Sequence, residues 1–126
     1  MNHFRKELEE LGVPFEEESP CGVNPLTGTS LRADFFIPEI NAVIEIDGKQ
    51  HFTPVAPFGG QEEFEKTVWR DSIKNRYCLD SGIEIIRFPL VDVENIFRDI
   101  PVKKVFGDLS LLAMEIKDRV RSKELA

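Results

Sequence analysis

Two strand-like segments, Leu31 to Ile37 and Ala42 to Asp47, are separated only by Pro38-Glu39-Ile40-Asn41. A connection of that length and chemistry is a hairpin turn, so the two strands are expected to pair antiparallel. Alternation along the second strand puts Val43, Glu45 and Asp47 on one face and Ala42, Ile44 and Ile46 on the other. In the first strand Asp34 and Phe36 share a face opposite Ala33, Phe35 and Ile37. If the register sets Asp34 beside Glu45, two like charges meet at a distance that is destabilising by itself.

A divalent cation would relieve that conflict, because Mg²⁺ accepts one or two carboxylates together with phosphate oxygens and water. Any one of Asp34, Glu45 and Asp47 is explained by a solvated sheet face. Three on adjoining strands, followed after Gly48 by His51, are better explained by a shared task. The imidazole of His51 suits proton transfer or metal ligation near neutral pH.

The rest of the chain is read around this hairpin. Phe4, Leu8 and Leu11 recur at helical spacing over residues 3 to 11, and Gly12 is a stop. A strand over Phe15 to Glu18 is expected to run into a turn-rich hairpin or loop, "SPCGVNPLTGTS". Gln61 to Leu79 has helical composition and is closed by Asp80-Ser81-Gly82. The following "IEIIRF" is a strand that a helix in front of it allows to join the sheet by a crossover. A short helix over Val93 to Ile100 and a last helix over Asp108 to Arg121 complete the pattern, the latter with Leu109, Leu112, Ala113, Ile116 and Val120 in one stripe.

This order predicts an α/β or α+β sandwich with a mixed sheet, in one domain over residues 1–126. No apolar run approaches the roughly 20 residues of a membrane span, and no signal peptide is evident at the start, so a cytoplasmic location is expected. Cys21 and Cys78 lack zinc-finger spacing and read as reduced structural thiols. The net charge of −7 argues against a protein coated in positive charge for nucleic-acid binding, but not against a nuclease that recruits metal through acidic residues.

On the helix from Gln61, Thr67, Asp71, Lys74 and Cys78 share a face, so Asp71 and Lys74 can reach one point. Lys66, Arg70 and Lys74 form a basic stripe that could track a phosphate backbone, although a solvated helix face explains it almost as well.

The segments "LRADFFIPEINAVIEIDGKQHF", "FGGQEEF", "RDSIKNRYC" and "GIEIIRF" resemble phage and bacterial endonucleases related to the very-short-patch repair endonuclease. These include homing endonucleases with a Glu-Asp-x-His-Asp signature, within the PD-(D/E)xK restriction-endonuclease-like superfamily. The resemblance runs from about Leu31 to Phe88. It implies a restriction-endonuclease-like core with an antiparallel catalytic hairpin, and a Mg²⁺-dependent DNA endonuclease that nicks or cleaves duplex DNA through a metal-activated water. Mn²⁺ would substitute.

By the same resemblance Asp34 is the principal metal ligand, with Glu45 or Asp47 contributing. His51 activates water or assists the leaving group, and Asp71 is the helical aspartate of the signature. Lys49, Gln50, Lys66 and Arg70 are possible contacts to the DNA backbone. Glu45-Ile46-Asp47 ends in aspartate where the superfamily motif has lysine. Lys74 or Lys49 is left to supply the positive charge, and Lys74 is preferred because it shares a face with Asp71.

The implied setting is a bacterial or phage-infected cell. Members often carry a separate DNA-recognition domain. None is evident here, so specificity would come from a homodimer or another protein. Two other readings stand beside the nuclease: an inactive nuclease-fold module for DNA binding or assembly, and an acidic protein that mimics DNA or binds a basic partner.

Overall fold

The hairpin forms as its short link requires. In a computed structural model of the chain, β2 (Ser30–Ile37) and β3 (Ala42–Asp47) pair antiparallel through Phe35↔Ile44, Phe36↔Val43 and Ile37↔Ala42. The link is one 3-10 turn, Pro38–Ile40, capped by Asn41 at φ 49°. Asparagine is among the few non-glycine residues that take this left-handed conformation readily. The structure describes residues 2–47, 60–89, 103–104 and 109–125.

Around the hairpin lie α1 (Asn2–Glu10), β1 (Glu16–Val23), α2 (Gly60–Ser81), β4 (Glu84–Pro89), the two-residue β5 (Lys103–Lys104) and α3 (Leu109–Leu125). The sheet order is β1-β2-β3-β4-β5. The β1, β2 and β3 strands meet antiparallel, while β3, β4 and β5 run parallel. The mixed sheet expected from the sequence is therefore present, and α2 is the crossover between β3 and β4. No helix among the described residues is long and apolar enough to cross a membrane.

Side-chain alternation divides the interior in two. Ile44 and Ile46 of β3, Phe35 and Ile37 of β2, and Ile86 and Phe88 of β4 pack with Phe4 and Leu8 of α1. Leu112, Ala113, Ile116 and Val120 of α3 complete this larger core, in the stripe their spacing predicts. Phe35 is held edge-on between Phe4 and Phe15, with ring centroids 5.1 and 5.7 Å away. The opposite face is smaller. There Val43, Ile85, Cys21 and Cys78 are buried, with Phe36 and Ile83 against them.

Three features depart from the sequence reading or lie beyond it. Of the hairpin or loop expected after Glu18, the hairpin forms, but Ser19-Pro20-Cys21-Gly22-Val23 continues β1 and the turn is confined to the residues after it. Pro20 is tolerated because β1 is an edge strand, and the register shifts between Pro20 and Val23, where Gly22 adopts φ 98°. Ala33 lies in the smaller cluster, whereas alternation from Phe35 assigns it to the larger one. The break falls at Asp34, opposite Glu18, which takes φ 51°. The helix expected over Val93 to Ile100 lies outside the described residues.

Two helices end in the same device. The Val13 amide donates to the Leu8 carbonyl and the Gly12 amide to that of Glu9, and Ile83 and Gly82 repeat the arrangement on Cys78 and Leu79. Each glycine is in the left-handed region, with the next residue's side chain packed inward. A Cβ added at Gly82 would meet nothing within 4 Å, so only its φ of 69° opposes substitution. Gly82→Ala is therefore expected to lower unfolding free energy by about 1 kcal/mol, read as a lower denaturation midpoint at unchanged slope.

Candidate metal and phosphate site

The register set by Phe35↔Ile44 makes Asp34 and Glu45 the next residues across from one another. There the side chains take the place of the ladder. The Asp34 amide donates to Glu45 Oε1 at 3.2 Å, and the Ile46 amide donates to Asp34 Oδ2 at 2.8 Å. Each carboxylate thus satisfies a main-chain donor of the other strand, as part-buried amides require. Meanwhile β2 continues to pair with β1 through Ser19↔Ala33, and β3 with β4 through Asp47↔Pro89. The sheet divides at this pair of acids.

Over it lies α2. Lys74 reaches Glu45, with Nζ 3.5 Å from both carboxylate oxygens, an ion pair longer than a good hydrogen bond. Both side chains are largely shielded from solvent. Burial, partly offset by Lys74 and reinforced by the charge of Asp34, pushes the Glu45 carboxyl up to about 7. Asp34, Glu45 and Lys74 are therefore brought together.

Asp47 and Asp71 occupy a second group. Asp47, fully buried, accepts from Arg87 Nη1 at 2.9 Å on both carboxylate oxygens. Asp71 Oδ1 lies 3.6 Å from the same nitrogen, and the Asp71 carbonyl accepts from Nη2 at 3.4 Å. Asn75 Oδ1 accepts from Arg87 Nε at 2.9 Å. Arg87 is only 1% exposed. Burial opposes its charge, but Asp47, Asp71 and Glu45 outweigh that effect and raise its pKa. Asp71 and Lys74 consequently point to different partners, Arg87 and Glu45.

The sequence reading missed Arg87 and Asn75. A signal for Arg87 was present. It is the lone basic residue in the apolar β4, two positions from Ile85 and therefore on the face that carries Glu45 and Asp47. Among the described residues no group of three or more His, Cys, Asp or Glu could hold a metal ion. His51, Lys49 and Gln50, named as a catalytic residue and possible backbone contacts, lie outside the described residues.

Lys66 and Arg70 extend from Lys74 towards the helix start. Lys66 pairs with Glu62 and Glu63, and Arg70 donates to Thr67 Oγ1 with Glu63 4.0 Å away. These exposed pairs contribute little to stability. Beneath α2, Cys21 and Cys78 are free thiols with sulfurs 3.7 Å apart, and Cys21 contacts the Lys74 carbonyl at 3.9 Å. Their mutual hydrogen bond, with burial, raises the Cys21 pKa.

The fold and this geometry define a mixed α/β protein with paired carboxylates at a division in its sheet. Its relatives are viral proteins. The chain is 35% identical over 79 residues to Uncharacterized protein 033L of Invertebrate iridescent virus 3, covering 61% of this chain and 41% of that protein. It is 34% identical over 94 residues to Uncharacterized protein 094L of Frog virus 3 (isolate Goorha), covering 71% and 61%. A third, Uncharacterized protein 307L of Invertebrate iridescent virus 6, is 28% identical over 95 residues, covering 70% and 46%. The matches thus span less than two thirds of each relative. No family model and no solved structure matches the chain.

Two outcomes follow from the buried charges. Arg87→Met removes the buried guanidinium that Asp47 and Asp71 share, and the expected loss in urea unfolding is about 3–5 kcal/mol. Adding Asp47→Leu recovers part of it. The raised pKa of Glu45 makes its contribution to stability full below pH 4.5 and lost as pH rises through about 7. In chelator, Glu45→Gln should remove that decline, about 3 kcal/mol across the interval, from the stability-against-pH curve.

Proposed function

We propose that this chain is a metal-dependent DNA endonuclease with a restriction-endonuclease-like core, hydrolysing phosphodiester bonds at the division between β2 and β3. The observation that carries the reading is the placement of Asp34 against Glu45 on facing strands with Lys74 over them.

These residues fit Mg²⁺ or Mn²⁺. Two carboxylates from adjacent strands match the number that Mg²⁺ takes from protein, leaving its other positions to water and phosphate oxygens. The burial that opposes ionisation of Glu45 is the condition a cation would relieve. When bound, such an ion supplies water of lowered pKa and offsets charge on the phosphoryl oxygens. Asp34 and Glu45 would hold it. Asp47, met by Arg87 on both oxygens, fixes β3 against β4 and α2, and Asp71 contributes to the same buried cluster.

Lys74 has two tasks in this arrangement. It orients Glu45, and its positive charge beside the acids is proposed to serve in place of the superfamily motif's lysine. During hydrolysis a water oxygen bonds to phosphorus and gives up a proton, the bond to the leaving oxygen breaks, and the leaving oxygen takes up a proton. His51 is the side chain proposed for proton transfer. Specificity would come from a second copy or another protein.

The test uses supercoiled plasmid with Mg²⁺ or Mn²⁺. Nicking or linearisation is expected with metal and not with chelator. Lys74→Met should lower the rate about 10- to 100-fold, as expected for a group that orients a metal ligand, and Asp34→Ala should lower it further. Binding of DNA with no cleavage under any metal would favour the inactive module. Cleavage unchanged in Asp34→Ala would overturn the site.

A further inference from the structure

A recess of about 380 Å³ lies between the β1–β2 turn and α2, lined by Asn24, Leu26, Thr29, Leu31, Trp69 and Arg70 among others. That is within the size of small-ligand sites, roughly 300–1,000 Å³. Its walls are built. The Asn24 amide donates to the Thr29 carbonyl at 2.9 Å, the Gly28 amide to the Asn24 carbonyl at 2.8 Å, and the Leu26 amide to Asn24 Oδ1 at 2.9 Å. Its lining includes two large apolar side chains that the fold does not bury, Trp69 at 44% exposure and Leu26 at 81%.

Charge selects the occupant. The cations at the recess, Lys66 and Arg70, stand on a chain whose net charge is −7, and Arg70 is next to the indole in sequence. Steps of four residues along α2, about 6 Å each, lead from Lys66 to Arg70 and from Arg70 to Lys74. The recess also touches β2 at Leu31, three residues or about 10 Å from Asp34. The two elements that line it, β2 and α2, thus also carry Asp34 and Lys74. A polymer with a repeating anionic backbone and flat aromatic units matches such a surface, because aromatic side chains stack bases without regard to sequence while Lys and Arg follow the phosphates.

We propose that this recess receives an unstacked base of single-stranded DNA, stacked against Trp69, with Arg70 on the adjoining phosphate. The inference rests on the nuclease reading for the identity of the polymer, and it adds that the strand entering the site is locally unpaired. Leu26 closes the open side of the base. Lys66 exchanges Glu62 and Glu63 for a phosphate.

Trp69 is the single tryptophan of the chain, so its fluorescence reports on the recess without a label. The experiment titrates the full chain, in chelator, with a short oligothymidylate and with an abasic oligonucleotide of equal length and charge. Saturable quenching by the first and not the second is expected. Trp69→Ala should weaken binding of oligothymidylate about tenfold by anisotropy, and Trp69→Phe should remain within about threefold of wild type.

Equal quenching by the abasic strand, or unchanged binding by Trp69→Ala, overturns the base recess. So does the absence of any quenching, the result expected if an apolar side chain of another protein is the occupant. The plasmid assay fails separately. Base-dependent quenching without cleavage leaves the recess standing and removes the nuclease, whereas cleavage with no effect at Trp69 does the reverse.

Discussion

The guanidinium of Arg87 permits the rest of the site to exist. A chain of net charge −7 places Glu45, Asp47 and Asp71 under one helix with almost no exposure. Isolated carboxylates cannot be kept ionised there, because the cost of removing each from water exceeds what a domain can sustain. Arg87 meets Asp47 on both oxygens, approaches Asp71, and is itself held by Asn75. Every polar group in such a cluster must have a partner, and this requirement fixes α2, β3 and β4 relative to one another.

With that cluster in place, Glu45 is the carboxylate left with Lys74 and Asp34. Its burial resembles that of Asp47, yet its environment differs. Lys74 stands 3.5 Å away, compared with 2.9 Å for Arg87 at Asp47, and the neighbouring Asp34 adds repulsion. Two acids two residues apart on one strand are thereby separated in role: one is closed off by a short, two-point contact, the other is weakly compensated. The difference arises on β4 and α2, not on the strand that carries both.

The hairpin, its faces and the helix stripes were legible because they depend on local periodicity. Phe35, Ile44 and Ile46 are buried where alternation puts them, and Leu112, Ala113, Ile116 and Val120 follow the helical repeat. The proximity of Asp34 and Glu45 could be read because a four-residue turn leaves little freedom of register. Arg87 was harder. Its partner lies 40 positions away in sequence, and the choice between Asp47 and Glu45 is made by side-chain geometry. The strand through Ser19 to Val23 was hidden for another reason: proline and glycine signal turns, and only its place at the sheet edge lets them occur in a strand. The recess at Trp69 joins the β1–β2 turn to α2, elements that no local pattern brings together.

The division of the sheet has a mechanical consequence. Asp34 rides on a leaf made of β1 and β2, whereas Glu45 rides on one made of β3 and β4. The two leaves meet through the rungs Phe35↔Ile44, Phe36↔Val43 and Ile37↔Ala42 and through the contacts each acid makes to an amide of the other strand, while Cys21, 3.9 Å from the Lys74 carbonyl, joins the outer leaf to α2. The position of Asp34 therefore depends on β1 as well as on the hairpin, so the support of the acid pair extends to the edge of the sheet.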